Sequence, residues 1–129
     1  MSAPKTESRI KPQAKPATEV AMCNEVRLIG RISRDPEERV LPSGDSVWTF
    51  RVVVPREGGP ARSRQAVDAL ECAAWTPRAR RSVSSWAADD VVEVVGALHR
   101  RFFRAGGAAA SRVEVEMTSG KVIRRAANG

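Results

Sequence analysis

Cysteine is scarce, tyrosine is absent and histidine occurs once in this chain of 129 residues. Cys23 and Cys72 fit no metal-binding or redox spacing, which excludes a disulfide scaffold or a zinc ribbon. Cys72 falls within a strand pattern and reads as a small buried apolar residue. His99 has no companion carboxylate or cysteine cluster, so neither a metal nor a catalytic role is expected of it. No apolar run approaches the ~18 residues of a membrane span. Lys5, Arg9, Lys11 and Lys15 are not followed by the apolar core of a signal peptide. The pairs Gly58-Gly59 and Gly106-Gly107 precede proline and alanine instead of lysine and serine, so there is no phosphate loop. The acidic pairs Asp89-Asp90 and Glu37-Glu38 are adjacent on turns, where neighbouring side chains diverge, and no catalytic triad is spaced along the chain. A cytosolic protein that is not an enzyme and needs no cofactor or metal is expected.

What the chain does have is positive charge. The formal balance is +7, and Lys121 is the sole lysine after Lys15, so the central cations are arginines. A basic balance suits nucleic acid or an anionic membrane, and arginine-rich usage is equally compatible with genomic base composition. Two segments favour nucleic acid. In Asn24–Pro55 and Val91–Phe103, apolar residues alternate strand-like with basic or aromatic ones. Cations around planar rings on a curved sheet match a polyanion that also offers flat faces to stack, namely single-stranded nucleic acid.

The length supports one domain with a real core. Residues 1–23 contain Pro4, Pro12 and Pro16 among polar residues and read as a disordered basic arm. Strand patterns follow at Asn24–Ser33 and Val47–Pro55, with a short extended piece at Glu38–Leu41 between them. Arg56–Gln65, with Arg62 and Arg64, is expected to be a mobile loop. A third long strand covers Ala66–Trp75, and Pro77 opens a helix over Arg78–Ala87. The fourth strand starts near Asp89-Asp90, Ala105–Ala110 reads as a loop, and Arg112–Met117 is the fifth strand. Residues 120–129 form a basic tail. Five strands with one helix between the third and fourth is the order of an all-β, five-stranded Greek-key barrel, the oligonucleotide-binding (OB) fold, placed at residues 24–119.

Asn24-Glu25-Val26-Arg27-Leu28-Ile29-Gly30-Arg31, Asp35-Pro36-Glu37 and Pro42-Ser43-Gly44 resemble the opening of the bacterial single-stranded DNA-binding proteins. Leu70-Glu71-Cys72-Ala73-Ala74-Trp75 and Gly96-Ala97-Leu98, with Phe103 seven residues after the glycine, continue the likeness to about Met117. The resemblance implies a barrel, assembled as a homotetramer or homodimer, that wraps single-stranded DNA without sequence preference. It also puts Trp75 and Phe103 at stacking positions, with Arg101 as the basic neighbour and His99 at a basic position. Ala69 and about Gly58 stand where further aromatics would be, and Glu71 where an arginine is common. The family's acidic C-terminal tail is not matched by Arg124-Arg125-Ala126-Ala127-Asn128-Gly129, which suggests a short paralogue.

The candidate DNA-binding set is therefore Arg31, Arg51, Arg56, Trp75, His99, Arg101, Phe103 and Arg104. Arg51 is included because its strand neighbours face the core, and Arg31, Arg56, Arg101 and Arg104 border the groove of this fold. Phe102 and Phe103 point oppositely along a strand, and Phe103 is expected to be the exposed one. Trp48, in phase with Phe50 and Val52, and Trp86, beside Val83 on the helix, are assigned to packing. If five phosphates are neutralised, affinity should fall with log salt at a slope of about −3.5, from ~0.7 per contact on single strands. Strand one and Leu70 are candidates for a subunit interface, since an unpaired first strand is an exposed edge. The competing function is an OB-fold accessory that works through contacts with replication or recombination proteins. RNA is a third possibility, since stacking does not read the sugar.

Overall fold

The computed structural model describes residues 19–57 and 66–127. The strands are β1 (Val26–Ile32), β2 (Glu37–Val40), β3 (Ser46–Pro55), β4 (Val67–Ala74), β5 (Val91–Ala105) and β6 (Ala108–Arg124), with helix α1 (Pro77–Val83) between β4 and β5. Neighbours run β1-β5-β6-β4-β3-β2, and β1 also pairs with β3, at Arg31↔Val53 and Ile32↔Val52. That second pairing closes β1, β5, β6, β4 and β3 into the expected five-stranded barrel. The short β2 is appended to the outer edge of β3, which is why the helix follows the fourth strand in chain order instead of the third. Among the described pairings only β4–β6 is parallel, at Cys72↔Val115 and Ala73↔Glu116.

Period-two alternation puts Ile32, Phe50, Val52, Cys72, Val92, Val94, Val115 and Met117 inside. Ala79, Val83 and Trp86 join this core from α1 and the turn after it. Trp86 meets Phe50 edge to face, ring centroids 5.4 Å apart and planes at 88°. Trp48 packs against the same cluster, so the packing roles expected of both tryptophans hold. At Gly96 a side chain would run into the carbonyl oxygen of Glu116, and a register shift separates Val95 from Gly96. The glycine lets β5 and β6 approach where the barrel wall bends.

Four features differ from those read in the sequence. The helix ends at Val83, where the Ser84 amide hydrogen-bonds to Arg80 and a turn delivers Trp86 to the core. The expected loop at Ala105–Ala110 is a tight turn on Gly106 and Gly107, whose φ values of 60° and 84° suit glycine, so β5 and β6 extend almost to the tip. Residues 120–124 complete β6 instead of starting a tail. β1 is also less of an edge than expected, since Val26–Arg31 pair with β5 throughout. The expected arm at 1–23 lies mostly outside the described residues, as do Arg62, Arg64 and Gly58; residues 19–25 carry no regular structure.

Beyond the end of β6, the chain is tied down by a buried carboxylate. Asp90, 2% exposed, accepts hydrogen bonds from the amides of Ala126 (2.8 Å) and Ala87 (3.0 Å) and from Arg125 (3.1 Å). Burial opposes its charge, but these donors outweigh it and hold its pKa below the ordinary carboxylate value.

Candidate nucleic-acid interface

The β5–β6 hairpin pairs Leu98 with Val115, His99 with Glu114, Arg101 with Arg112, Phe102 with Ser111 and Phe103 with Ala110. Cross-strand partners share a face, so His99, Arg101 and Phe103 lie together with Arg112 and Glu114. Arg39 of β2 faces this group, and Arg39, Arg101, Phe103, Arg104 and Arg112 line one cleft of about 340 Å³.

The cleft carries a large excess of positive charge. Its carboxylate is Glu114, 4% exposed, which stands 3.6 Å from Arg112 and 4.0 Å from Arg101. Arg104 donates to the Gly107 carbonyl at 2.9 Å, and Arg39 has no carboxylate partner among the described residues. Arg112 also lies over the Phe103 ring, 5.7 Å from its centroid. Four guanidiniums thus surround one aromatic ring, and two of them share one buried carboxylate.

The arginines of β1, of β3 and of the segment just after β3 are placed differently. Arg51 is bound to Glu71 at 2.6 Å, its cross-strand neighbour, and Arg56 to Asp68 at 2.8 Å. The hydrogen bond to Asp68, reinforced by its charge, raises the pKa of Arg56 further. Arg31 is bound to Asp89 at 3.2 Å, and Asp89 holds a left-handed φ of 72° in the turn before β5. Next to Arg51, a small pocket gathers Asp35, Glu37 and Glu71 with Arg34, so carboxylates outnumber guanidiniums there.

The eight candidate residues therefore fall into separate places. Arg101, Phe103 and Arg104 line the cleft, and His99 lies on the same face of its hairpin. Arg31, Arg51 and Arg56 are ion-paired elsewhere. Trp75 is half-buried at the end of β4 and does not line the cleft; Arg80 fixes it there, donating to the carbonyls of Trp75 (2.8 Å) and Ser46 (3.2 Å). Leu70 pairs across with Val52, on the core-side face of β4, and is half-buried there. Phe102, 75% exposed, is the more exposed of the two phenylalanines, against 39% for Phe103. The reason is local: Arg112 and the cleft cover part of Phe103, while Phe102 projects from the opposite face.

Sequence reasoning missed Arg39 and Arg112. Arg39 is hidden behind Glu37 and Glu38, and only β2's attachment to β3 shows where it stands. Arg112 could have been found by pairing the two hairpin strands about Gly106-Gly107, which sets it opposite Arg101. Among the described residues there is no cluster able to hold a metal ion, and no helix is long and apolar enough to cross a membrane.

Known proteins share both the sequence and the fold of this chain. Single-stranded DNA-binding protein 1 of Lactococcus lactis is 30% identical over 80 residues, covering 62% of this chain and 53% of that protein. Single-stranded DNA-binding protein 3 of Listeria innocua is 39% identical over 54 residues, covering 42% of this chain and 34% of that protein. The chain thus spans about a third to a half of these curated relatives. The Plasmodium falciparum SSB in its complex with ssDNA shares the fold, with a TM-score of 0.64 at 20% identity over 83% of this chain and 98% of that one. The Single-strand binding protein family profile matches residues 23–123, from before β1 to one residue short of the end of β6. By that match across the whole barrel, the chain belongs to the single-strand binding protein family.

Proposed function

We propose that this protein binds single-stranded DNA without sequence preference, by stacking bases on Phe103 and pairing phosphates with arginines, in replication, repair or recombination. The observation that carries this reading is the cleft between β2 and the hairpin, where Arg39, Arg101, Arg104 and Arg112 surround one aromatic ring. Such a site fits a flexible strand. Guanidiniums hold phosphates in a planar fork, and every base has a face to stack. His99, on the same face, adds a further donor toward the strand, and Trp75 a second ring at the barrel rim. The names of the bacterial relatives and the ssDNA bound to the Plasmodium falciparum protein support the same ligand.

Self-association into a dimer or tetramer belongs to the same reading. Toward β3, β1 is paired only through Arg31 and Ile32, so Val26–Gly30 offer a strand edge to a second copy. Action in the cytoplasm on the nucleoid would follow from such a ligand.

One feature favours a protein-binding accessory instead. Leu98, Phe102 and Val113 share the opposite face of the hairpin and are 50%, 75% and 45% exposed. Fluorescence anisotropy of a labelled oligo-dT of about 35 nucleotides, with duplex and RNA controls, separates the two. Tight, salt-sensitive, single-strand-selective binding supports the first. A folded protein that binds no strand at low salt sinks it and leaves the accessory role.

A further inference from the structure

We infer that the backbone of a single strand runs between β2 and the β5–β6 hairpin, held by Arg39 and Arg112, and bypasses Arg31, Arg51 and Arg56. This rests on the single-strand reading above and goes further, because it names two phosphate-holding residues and removes three that the sequence suggests.

An arginine contributes to polyanion binding only by the charge it has left over. Arg51 and Arg56 sit 2.6 and 2.8 Å from Glu71 and Asp68, and Arg31 sits 3.2 Å from Asp89. A phosphate arriving at Arg51 would have to displace Glu71 and would then face that carboxylate, with Asp35 and Glu37 close by. Each pair is locally neutral, so exchanging a carboxylate for a phosphate gains little and leaves a repulsive group beside the strand.

The cleft is the reverse case. The one carboxylate beside it is Glu114, buried against Arg101 and Arg112, so four guanidiniums are offset by a single negative charge. Arg112 is held in place from two sides, by Glu114 and by the Phe103 ring. A phosphate bound to it therefore lies next to the ring on which a base can stack. Arg39 supplies the opposite wall, from a different strand, without breaking any ion pair.

The test compares two variants in binding a labelled oligo-dT across salt concentrations. Arg39→Gln with Arg112→Gln removes the cleft contacts. Arg51→Gln, Glu71→Gln, Arg56→Gln and Asp68→Asn together remove two of these three ion pairs, those of Arg51 and Arg56, without changing net charge. Losing two contacts at ~0.7 each should flatten the salt slope by about 1.4, a loss near 25-fold at 0.1 M relative to 1 M. That flattening is expected for the cleft variant, with the quadruple variant keeping the wild-type slope. A flattened slope in the quadruple variant, or an unchanged one in the cleft variant, overturns the path while single-strand binding stands. A wild-type protein that binds no strand overturns both. Should the cleft variant unfold, Arg39→Gln alone, on an exposed edge strand, must still flatten the slope by about 0.7.

Discussion

The guanidinium of Arg112 stands over the ring of Phe103, 5.7 Å from its centroid, so one face of the cleft's aromatic ring already carries a cation. A base can stack on the other face with that cation behind the ring, or displace Arg112 toward the phosphate. In the proposed binding mode the ring is the platform either way. Phe103→Ala should weaken binding to oligo-dT by about 1–3 kcal/mol, read by anisotropy, and Phe102→Ala by less despite its greater exposure. Equal losses at both would mean that exposure, and not the cleft, selects the stacking residue.

The core ring pair gives a stability prediction. Trp86 is 6% exposed and meets Phe50 edge to face beneath the α1 turn. Trp86→Ala should destabilise the fold by about 3–5 kcal/mol in urea unfolding, the range for removing a large buried aromatic. A change below ~1 kcal/mol, the scale of a surface substitution, would show that the turn after α1 is not a structural plug.

The two thiols should behave differently. Burial, then the negative charges of Glu71 and Glu114, push the Cys72 thiol up to about 12, whereas Cys23 is exposed. A thiol reagent at pH 8 should label one cysteine per native chain rapidly and the second only on unfolding. The sign for stability follows from the raised pKa. Keeping Cys72 protonated helps the fold up to its unfolded value of ~8.5, and the benefit fades as pH climbs toward the folded value. Rapid labelling of both cysteines in the native state would contradict the burial of Cys72.

Asp90 makes the opposite pH prediction. Its pKa is depressed, so its contribution is fully present above the unfolded value of ~3.9 and is lost as pH falls through the lower folded value. Asp90→Ala should remove that acid dependence, leave the Ala87 and Ala126 amides without their acceptor, and destabilise by about 1–3 kcal/mol. Hydrogen exchange would show it first, as faster exchange at Ala126. Unchanged acid unfolding would mean that the C-terminal segment is held by something else.

Much of the barrel was legible because alternation is local. Val92 and Val94 against Glu93, and Phe50, Val52 and Val54 against Arg51, assign an inside and an outside with no knowledge of partners. Pro77 marked the start of α1 for the same reason, since its ring fits the first helical turn. The helix end was not legible. Ser84, Ser85, Trp86 and Ala87 carry no strong breaker, and what stops the helix is the pull of Trp86 into the core. The hairpin was underestimated because alanines and glycines near its tip look like loop, whereas cross-strand pairing carries them as strand to the turn.

The sequence by itself determined the fold class, the family likeness, the basic charge and the presence of Arg101, Phe103 and Arg104 on one exposed hairpin strand. Only the tertiary structure decided which arginines meet a carboxylate and which do not. Register places Glu71 opposite Arg51, the turn at Asp89 reaches Arg31, and β2 carries Arg39 to face Arg112. Whether a side chain points out is set by its own strand's period of two. What it meets there is set by the neighbouring strand's register, which depends on residues far away in the chain.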